Sequence, residues 1–269
     1  MDIKQSCLQG VIPEDLKIFD AHSHVGEGEY AQTFLYTLPL AESIRLSKKI
    51  GIKKMAASSL KALSGNTAAG NKRLFELIDI YPNYLYAYVH YAPETGENGI
   101  EEIAAYKGHP NFVGIKIHPR EDKAPLPDGG YELLWPYLEA NGILVLCHTW
   151  QTEPENDPAQ FAPILARYPK LKLLLGHMGG TRKGVLTSCM LAARYENVYL
   201  DINGSLYSET WLEELARHAG IDKLIFSTDQ VFNDPRIIVG RVVLSDLSDV
   251  DKRKILYYNF ENMMGRKYI

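Results

Sequence analysis

Little in this sequence serves a disulfide framework, a membrane or a polyanion. The 269 residues hold three cysteines, Cys7, Cys147 and Cys189. They are odd in number and far apart, which excludes a disulfide framework and a Cys-x-x-Cys metal site and fits a reducing, cytoplasmic setting. No stretch approaches the ~20 apolar residues of a membrane span, and Met1 to Lys17 has no apolar run behind a basic start. Neither a membrane association nor a leader is expected. Basic excess is also missing: the formal net charge is -4 and the pI is near 6.1. Without a basic stripe to neutralise phosphates, nucleic acid is not an expected partner. The expected partner is a small molecule, and a homo-oligomer is compatible with the sequence.

What is present is an alternation of short apolar runs and one-faced helical patterns. Strand-like runs are read at 16–19, leading into His22 and His24, and then at 52–58, 84–90, 112–118, 143–148, 171–177, 197–203 and 223–229. After the first comes a polar loop, Gly26-Glu27-Gly28-Glu29, and a helix from Pro39 to Gly51. Leu74, Leu77, Ile78 and Tyr81 mark a helix stopped by Pro82, and Ile100, Ile103 and Ala104 mark another. Further helices are expected from Tyr131 to Ala140, interrupted or restarted at Pro136, after Asp157-Pro158, from Thr181 to Tyr195, and around Leu212 to Ala219. The remainder reads as helical, with Ser248 and Asp251 spaced like a capping box. Strands each followed by a helix predict a parallel α/β sheet buried on both faces. At this length the expected solution is a (β/α)8 TIM barrel forming a single domain over 1–269. The competing open doubly wound sheet usually carries a glycine-rich loop after its first strand, and His22-Ser23-His24-Val25-Gly26 is no such loop.

Polar residues gather where that pattern ends its strands. His22 and His24 are two apart and share a face. Lys116 and His118, His148, His177 and Asp229 close the fourth, fifth, sixth and eighth runs. In a barrel these carboxyl ends converge on one face, so residues far apart in sequence meet in one site. Alternation predicts that Leu144, Leu146 and His148 point inward together, as do Leu173, Leu175 and His177, and Ile225, Ser227 and Asp229. Several imidazoles and a carboxylate in one place suit a divalent cation. His109 and His218, near helix carboxyl ends, are read as structural, and His90 either lines the pocket or packs in the core. Cys147 alternates away from His148, toward the helices.

Six motifs carry a resemblance: Phe19-Asp20-Ala21-His22-Ser23-His24, Gly114-Ile115-Lys116-Ile117-His118-Pro119, Leu146-Cys147-His148, Leu175-Gly176-His177-Met178-Gly179-Gly180, Ser227-Thr228-Asp229 and Ile255-Leu256-Tyr257-Tyr258-Asn259. Their order and spacing resemble the amidohydrolase superfamily, in the branch called amidohydrolase family 2. That branch holds metal-dependent hydrolases and aminocarboxymuconate-semialdehyde-type decarboxylases. The resemblance implies one divalent ion, zinc, on His22, His24, His148 and Asp229, with His177 touching or orienting the activated water. Asp229 or His177 would move the proton. In binuclear members a carbamylated strand-four lysine bridges two metals, a role open to Lys116; otherwise Lys116 pairs with Asp229 or a substrate carboxylate. His118 is expected to contact substrate. Arg120, Trp150, Arg182 and Lys183 are loop candidates for holding an anionic substrate. The expected activity is hydrolysis of a small carboxylated or cyclic substrate by metal-activated water, with decarboxylation as the alternative. One departure from relatives, Asn262 where arginine is common, bears on helix packing.

Overall fold

The protein is described from a computed structural model covering residues 2–26, 38–204, 208 and 210–269. Eight parallel strands form one curled sheet in chain order: β1 (Phe19–Val25), β2 (Lys54–Ser59), β3 (Leu85–His90), β4 (Phe112–Ile117), β5 (Leu144–Trp150), β6 (Lys172–Gly179), β7 (Val198–Asp201) and β8 (Leu224–Ile225). The helices are α1 (Ile3–Leu8), α2 (Leu40–Lys49), α3 (Leu60–Leu63), α4 (Thr67–Ile80), α5 (Gly96–Tyr106) and α6 (Leu134–Asn141). They continue with α7 (Phe161–Arg167), α8 (Arg182–Arg194), α9 (Trp211–Ala219), α10 (Pro235–Val243), α11 (Asp249–Arg253) and α12 (Asn259–Met264). The α/β alternation is the expected one. Most of the Gly26–Glu29 loop lies outside the described residues.

Local chemistry sets the boundaries. The Thr181 hydroxyl accepts from Gly184 N–H at 3.1 Å and opens α8. Ser248 caps α11, accepting from Asp251 N–H at 3.1 Å, as the capping-box spacing implies. Pro136 does not interrupt α6, because it falls in the first turn, where N–H groups have no intrahelical partner. The short helices α1 and α3 carry too little periodicity to be read from sequence.

The sheet is buried on both faces, which is why its strands are nearly continuous apolar runs. Outward residues such as Ile115, Ile117, Val145, Cys147, Leu173, Leu175 and Phe226 pack under the helices. Inward residues, including Phe19, Ala21, Tyr86, Tyr88, Leu144, Leu146, Leu174 and Ile225, form a second cluster with Tyr257, Phe260, Met263 and Tyr268 from the chain's end. Phe19 stacks on Phe260 at 4.6 Å between ring centroids and meets Tyr268 at 4.7 Å. The C-terminal segment therefore plugs the end at which the strands begin, leaving the other end for a site.

The eighth run differs from its expected 223–229 span: β8 has two residues. Beyond it the polar side chains take over. Thr228 donates from both its N–H, at 2.9 Å, and its hydroxyl, at 2.5 Å, to the Asp20 carboxylate, and Ser227 donates to Asp201. The same stretch meets β1. Ala21 N–H donates to Phe226 O at 3.1 Å, Asp229 N–H donates to His22 O at 2.7 Å, and Ser23 bridges Gln230 in parallel.

Candidate metal centre and active site

This seam sets Asp229 beside the two β1 histidines. Asp229 Oδ1 is 3.1 Å from His24 Nε2 and 3.7 Å from His22 Nε2. The two rings stand 5.2 Å apart, so the two-residue spacing does bring them to one face. Behind His22, Asp201 Oδ2 lies 2.6 Å from Nδ1, and Lys116 Nζ lies 2.8 Å from Nε2. Lysine only donates, so Nε2 accepts and the ring proton sits on Nδ1, donated to Asp201. His24 Nδ1 is 3.0 Å from the Ser58 hydroxyl.

His177 reaches the same place by a different route. Leu173 and Leu175 face outward and Leu174 inward, the reverse of the alternation expected for this strand. Gly176 takes the inward position. A Cβ there would stand 2.8 Å from Cys147 O and 3.4 Å from His22 Cε1. His177 would then point out, but its backbone is left-handed, with φ 60°, and so is that of Met178, at 52°. Left-handed φ is costly for residues with a Cβ and here turns the imidazole inward. Asp229 also has positive φ, 56°. The result is that His22, His177 and Asp229 each offer a buried ligand atom within 4.8 Å of the others.

The remaining imidazoles form a wall. His118 stacks on His148 with centroids 4.1 Å apart and planes 16° apart, and His148 lies 21° from the plane of Trp150 at 6.5 Å. Glu121 N–H donates to His118 Nδ1 at 3.4 Å, which places the His118 proton on Nε2. A cavity of about 240 Å³ is lined by this wall, by His24, His177 and Asp229, and by Leu60, Leu63 and Phe232. Its size suits a one-ring ligand better than the ~300–1,000 Å³ pockets of drug-sized molecules.

Burial lowers every one of these imidazoles: His22, His118 and His148 well below the ordinary value, His24 below it, and His177 to about 4. Burial also lowers Lys116, to about 8, with Asp229 opposing. Burial works to raise Asp229, but His177, the His24 hydrogen bond and Lys116 outweigh it and hold the carboxyl below its usual range. Neutral imidazoles beside an ionised carboxylate are the donor set a divalent cation needs, so the residues present fit a metal.

The loop candidates divide. Trp150 and Arg120 line the cavity, but Arg120 is already ion-paired with Glu153 and its side chain is 54% exposed. Arg182, the first residue of α8, and Lys183 are exposed and do not line the cavity. His90 resolves to the packed alternative, hydrogen-bonded to Asp122 at 2.8 Å. His109 accepts from Asn111 N–H and His218 is exposed, both away from the cavity. Asp201 was not among the sequence candidates, although the rule that picked Asp229, an acid at a strand's carboxyl end, picks it too.

A family profile described as amidohydrolase matches residues 49–263. The chain belongs to amidohydrolase family 2. Curated protein sequences give this family member no match. Among solved structures, 5-carboxyvanillate decarboxylase from Sphingomonas paucimobilis is similar with a TM-score of 0.75 at 11% identity, covering 94% of this chain and 100% of that one. A dihydroxybenzoic acid decarboxylase from Polaromonas, with bound manganese and the inhibitor 2-nitroresorcinol, has a TM-score of 0.71 at 18% identity, covering 93% and 96%. An uncharacterized Tim-barrel protein from Bordetella bronchiseptica has a TM-score of 0.72 at 16% identity, covering 93% and 99%. At these identities the likeness shows a shared fold. No helix among the described residues is long and apolar enough to cross a membrane.

Proposed function

We propose that this amidohydrolase-family chain is a metal-dependent decarboxylase of a small planar carboxylate, the reading first held as the alternative to hydrolysis. The observation that carries it is the wall of near-parallel rings, His118, His148 and Trp150, beside the His22, His177 and Asp229 group. A flat shelf suits a conjugated ring or diene, and decarboxylases are among the structures of like fold. We also take the β1 seam as closing a single-domain (β/α)8 barrel over 1–269.

One divalent ion per chain would be held by His22, in place of the Lys116 hydrogen bond to its Nε2, and by His177 and Asp229, with His24 and His148 as adjoining donors. Manganese in a structural relative makes it the first ion to load, ahead of the zinc expected from the resemblance. When bound, the ion would supply Lewis acidity toward the substrate's oxygen atoms. His118 donates its Nε2–H to a carboxylate oxygen. Lys116, whose ammonium Asp229 supports against burial, balances the buried Asp229 carboxylate. In the reaction the bond to the carboxyl carbon breaks, its electron pair stays on the ring or chain carbon, and one proton takes the place of CO2. Asp229, ionised at rest, accepts that proton from a substrate hydroxyl or water and returns it to the carbon. His148 and Trp150 hold the plane in place, and Leu60, Leu63 and Phe232 keep water from the carbanion.

The test is manganese- and zinc-loaded protein against hydroxybenzoates, dienoic carboxylates, lactones and amides. Release of CO2 with one solvent hydrogen at the vacated carbon is expected. Turnover of lactones or amides with no CO2 from any carboxylate would overturn the reading in favour of hydrolysis.

A further inference from the structure

Besides Asp229, three charged side chains line the cavity, Arg120, Glu121 and Glu153, and the reaction proposed above uses none of them. Arg120 and Glu121 follow β4, and Glu153 follows β5, so they form the rim beyond the strand ends. The Arg120 guanidinium is paired with Glu153 Oε1. Exposed ion pairs commonly yield to a competing charge. This one is held from behind. Glu153 Oε2 accepts from Asn156 Nδ2 at 2.6 Å, and Asn156 is fully buried. Asn156 Oδ1 accepts the Arg120 backbone N–H at 3.2 Å, so one buried amide ties the first loop to the acid of the second. Glu153 N–H also donates to Trp150 O at 3.0 Å, which fixes the turn carrying that acid. Glu121 has no ion pair among the described residues, so their rim holds two carboxylates against one cation.

We propose that Glu153 is a specificity-determining residue: by keeping Arg120 paired it withholds the guanidinium from the cavity, so the site accepts a ring with one carboxylate and rejects a ring with two. An unpaired guanidinium beside the cavity would clamp a second carboxylate through two parallel N–H groups. Paired with Glu153 it offers a dipole instead, whose field falls off faster than that of a lone charge. With the first carboxylate at the histidine end, a second one across the ring would meet Glu121 and Glu153 with a single cation between them. Like charges brought together in this way weaken binding of the wrong ligand. A neutral amide or hydroxyl at the same place meets no such repulsion. Specificity is a difference of two affinities, and here the repulsive side supplies it. The inference rests on the carboxylate reading of the site.

The test is calorimetric binding of two probes to the manganese-loaded protein at pH 7, isophthalate and 3-carbamoylbenzoate, which share a ring and nearly a shape but differ by one charge. Wild type should bind 3-carbamoylbenzoate about 10-fold more tightly than isophthalate, and the gap should narrow as added salt screens the rim. Glu153→Gln keeps an acceptor for Asn156 while freeing Arg120. Isophthalate should then gain about 10-fold and 3-carbamoylbenzoate should change little. Adding Arg120→Gln to Glu153→Gln should abolish the gain, because the rim again carries an unbalanced Glu121. Equal or tighter binding of isophthalate by wild type overturns the proposal. So does the absence of a gain in Glu153→Gln, or a gain that survives the double variant. Failure of both probes to bind overturns it together with the carboxylate reading. The expected preference without CO2 release from any carboxylate sinks the decarboxylase reading alone.

Discussion

Three of the histidines around the site have one nitrogen occupied from behind: His22 by Asp201, His24 by Ser58 and His118 by the Glu121 N–H. What remains in front is either a lone pair or a proton, and that choice separates ligands from substrate donors. His22→Ala and Asp229→Ala should therefore each lower the metal content found by elemental analysis and cut turnover by about 10²-fold or more. His218→Ala, exposed on α9, should do neither. Asp20 gives a pH signature. Burial pushes its carboxyl from the ordinary 3.8 up to about 7, against hydrogen bonds from Ser23 and Thr228. The native state then binds more protons than the unfolded chain between these values, so the contribution to stability is full below pH 3.8 and is lost as pH rises through 7. Denaturant midpoints should show wild type losing about 2 to 4 kcal/mol relative to Asp20→Asn between pH 4 and 7.

Among the elements, β6 is where the sequence was least legible. Strand alternation brings His24 and His148 to the cavity because it is a local property, whereas Asp229 reaches it beyond the end of β8 through a left-handed backbone. For His177 the same rule predicted the right destination for the wrong reason, since alternation puts Leu173 and Leu175 under the helices. Only a positive φ, invisible in residue identities apart from the nearby Gly179-Gly180, brings the ring in. Arg182 does not line the cavity, since a place after a strand does not fix a side chain's direction. Gly176 is the cheaper test of β6. Gly176→Ala would set a Cβ against Cys147 O and the His22 ring, and should cost about 1–3 kcal/mol by thermal melting together with weaker manganese binding. The turn after β4 depends on Asp122, which accepts from His90, from His118 N–H at 3.1 Å and from Tyr131 at 3.3 Å. Asp122→Ala leaves these buried donors unpaired and should lower both the melting temperature and the affinity for substrate, through His118.

Over the whole molecule, the alternation of runs and helices made the α/β fold readable. The plug was not readable, because Tyr257, Phe260 and Tyr268 reach the strands' starting end only through tertiary packing. Tyr268→Ala should destabilise by about 3–5 kcal/mol, read by chemical denaturation, while leaving manganese affinity unchanged, since the plug and the donors occupy opposite ends. The seam has a consequence for truncation. Because β1 supplies His22 and the stretch beyond β8 supplies Asp229, a chain cut back before Asp229 would lose both the backbone bond to His22 O and the one carboxylate of the proposed donor group.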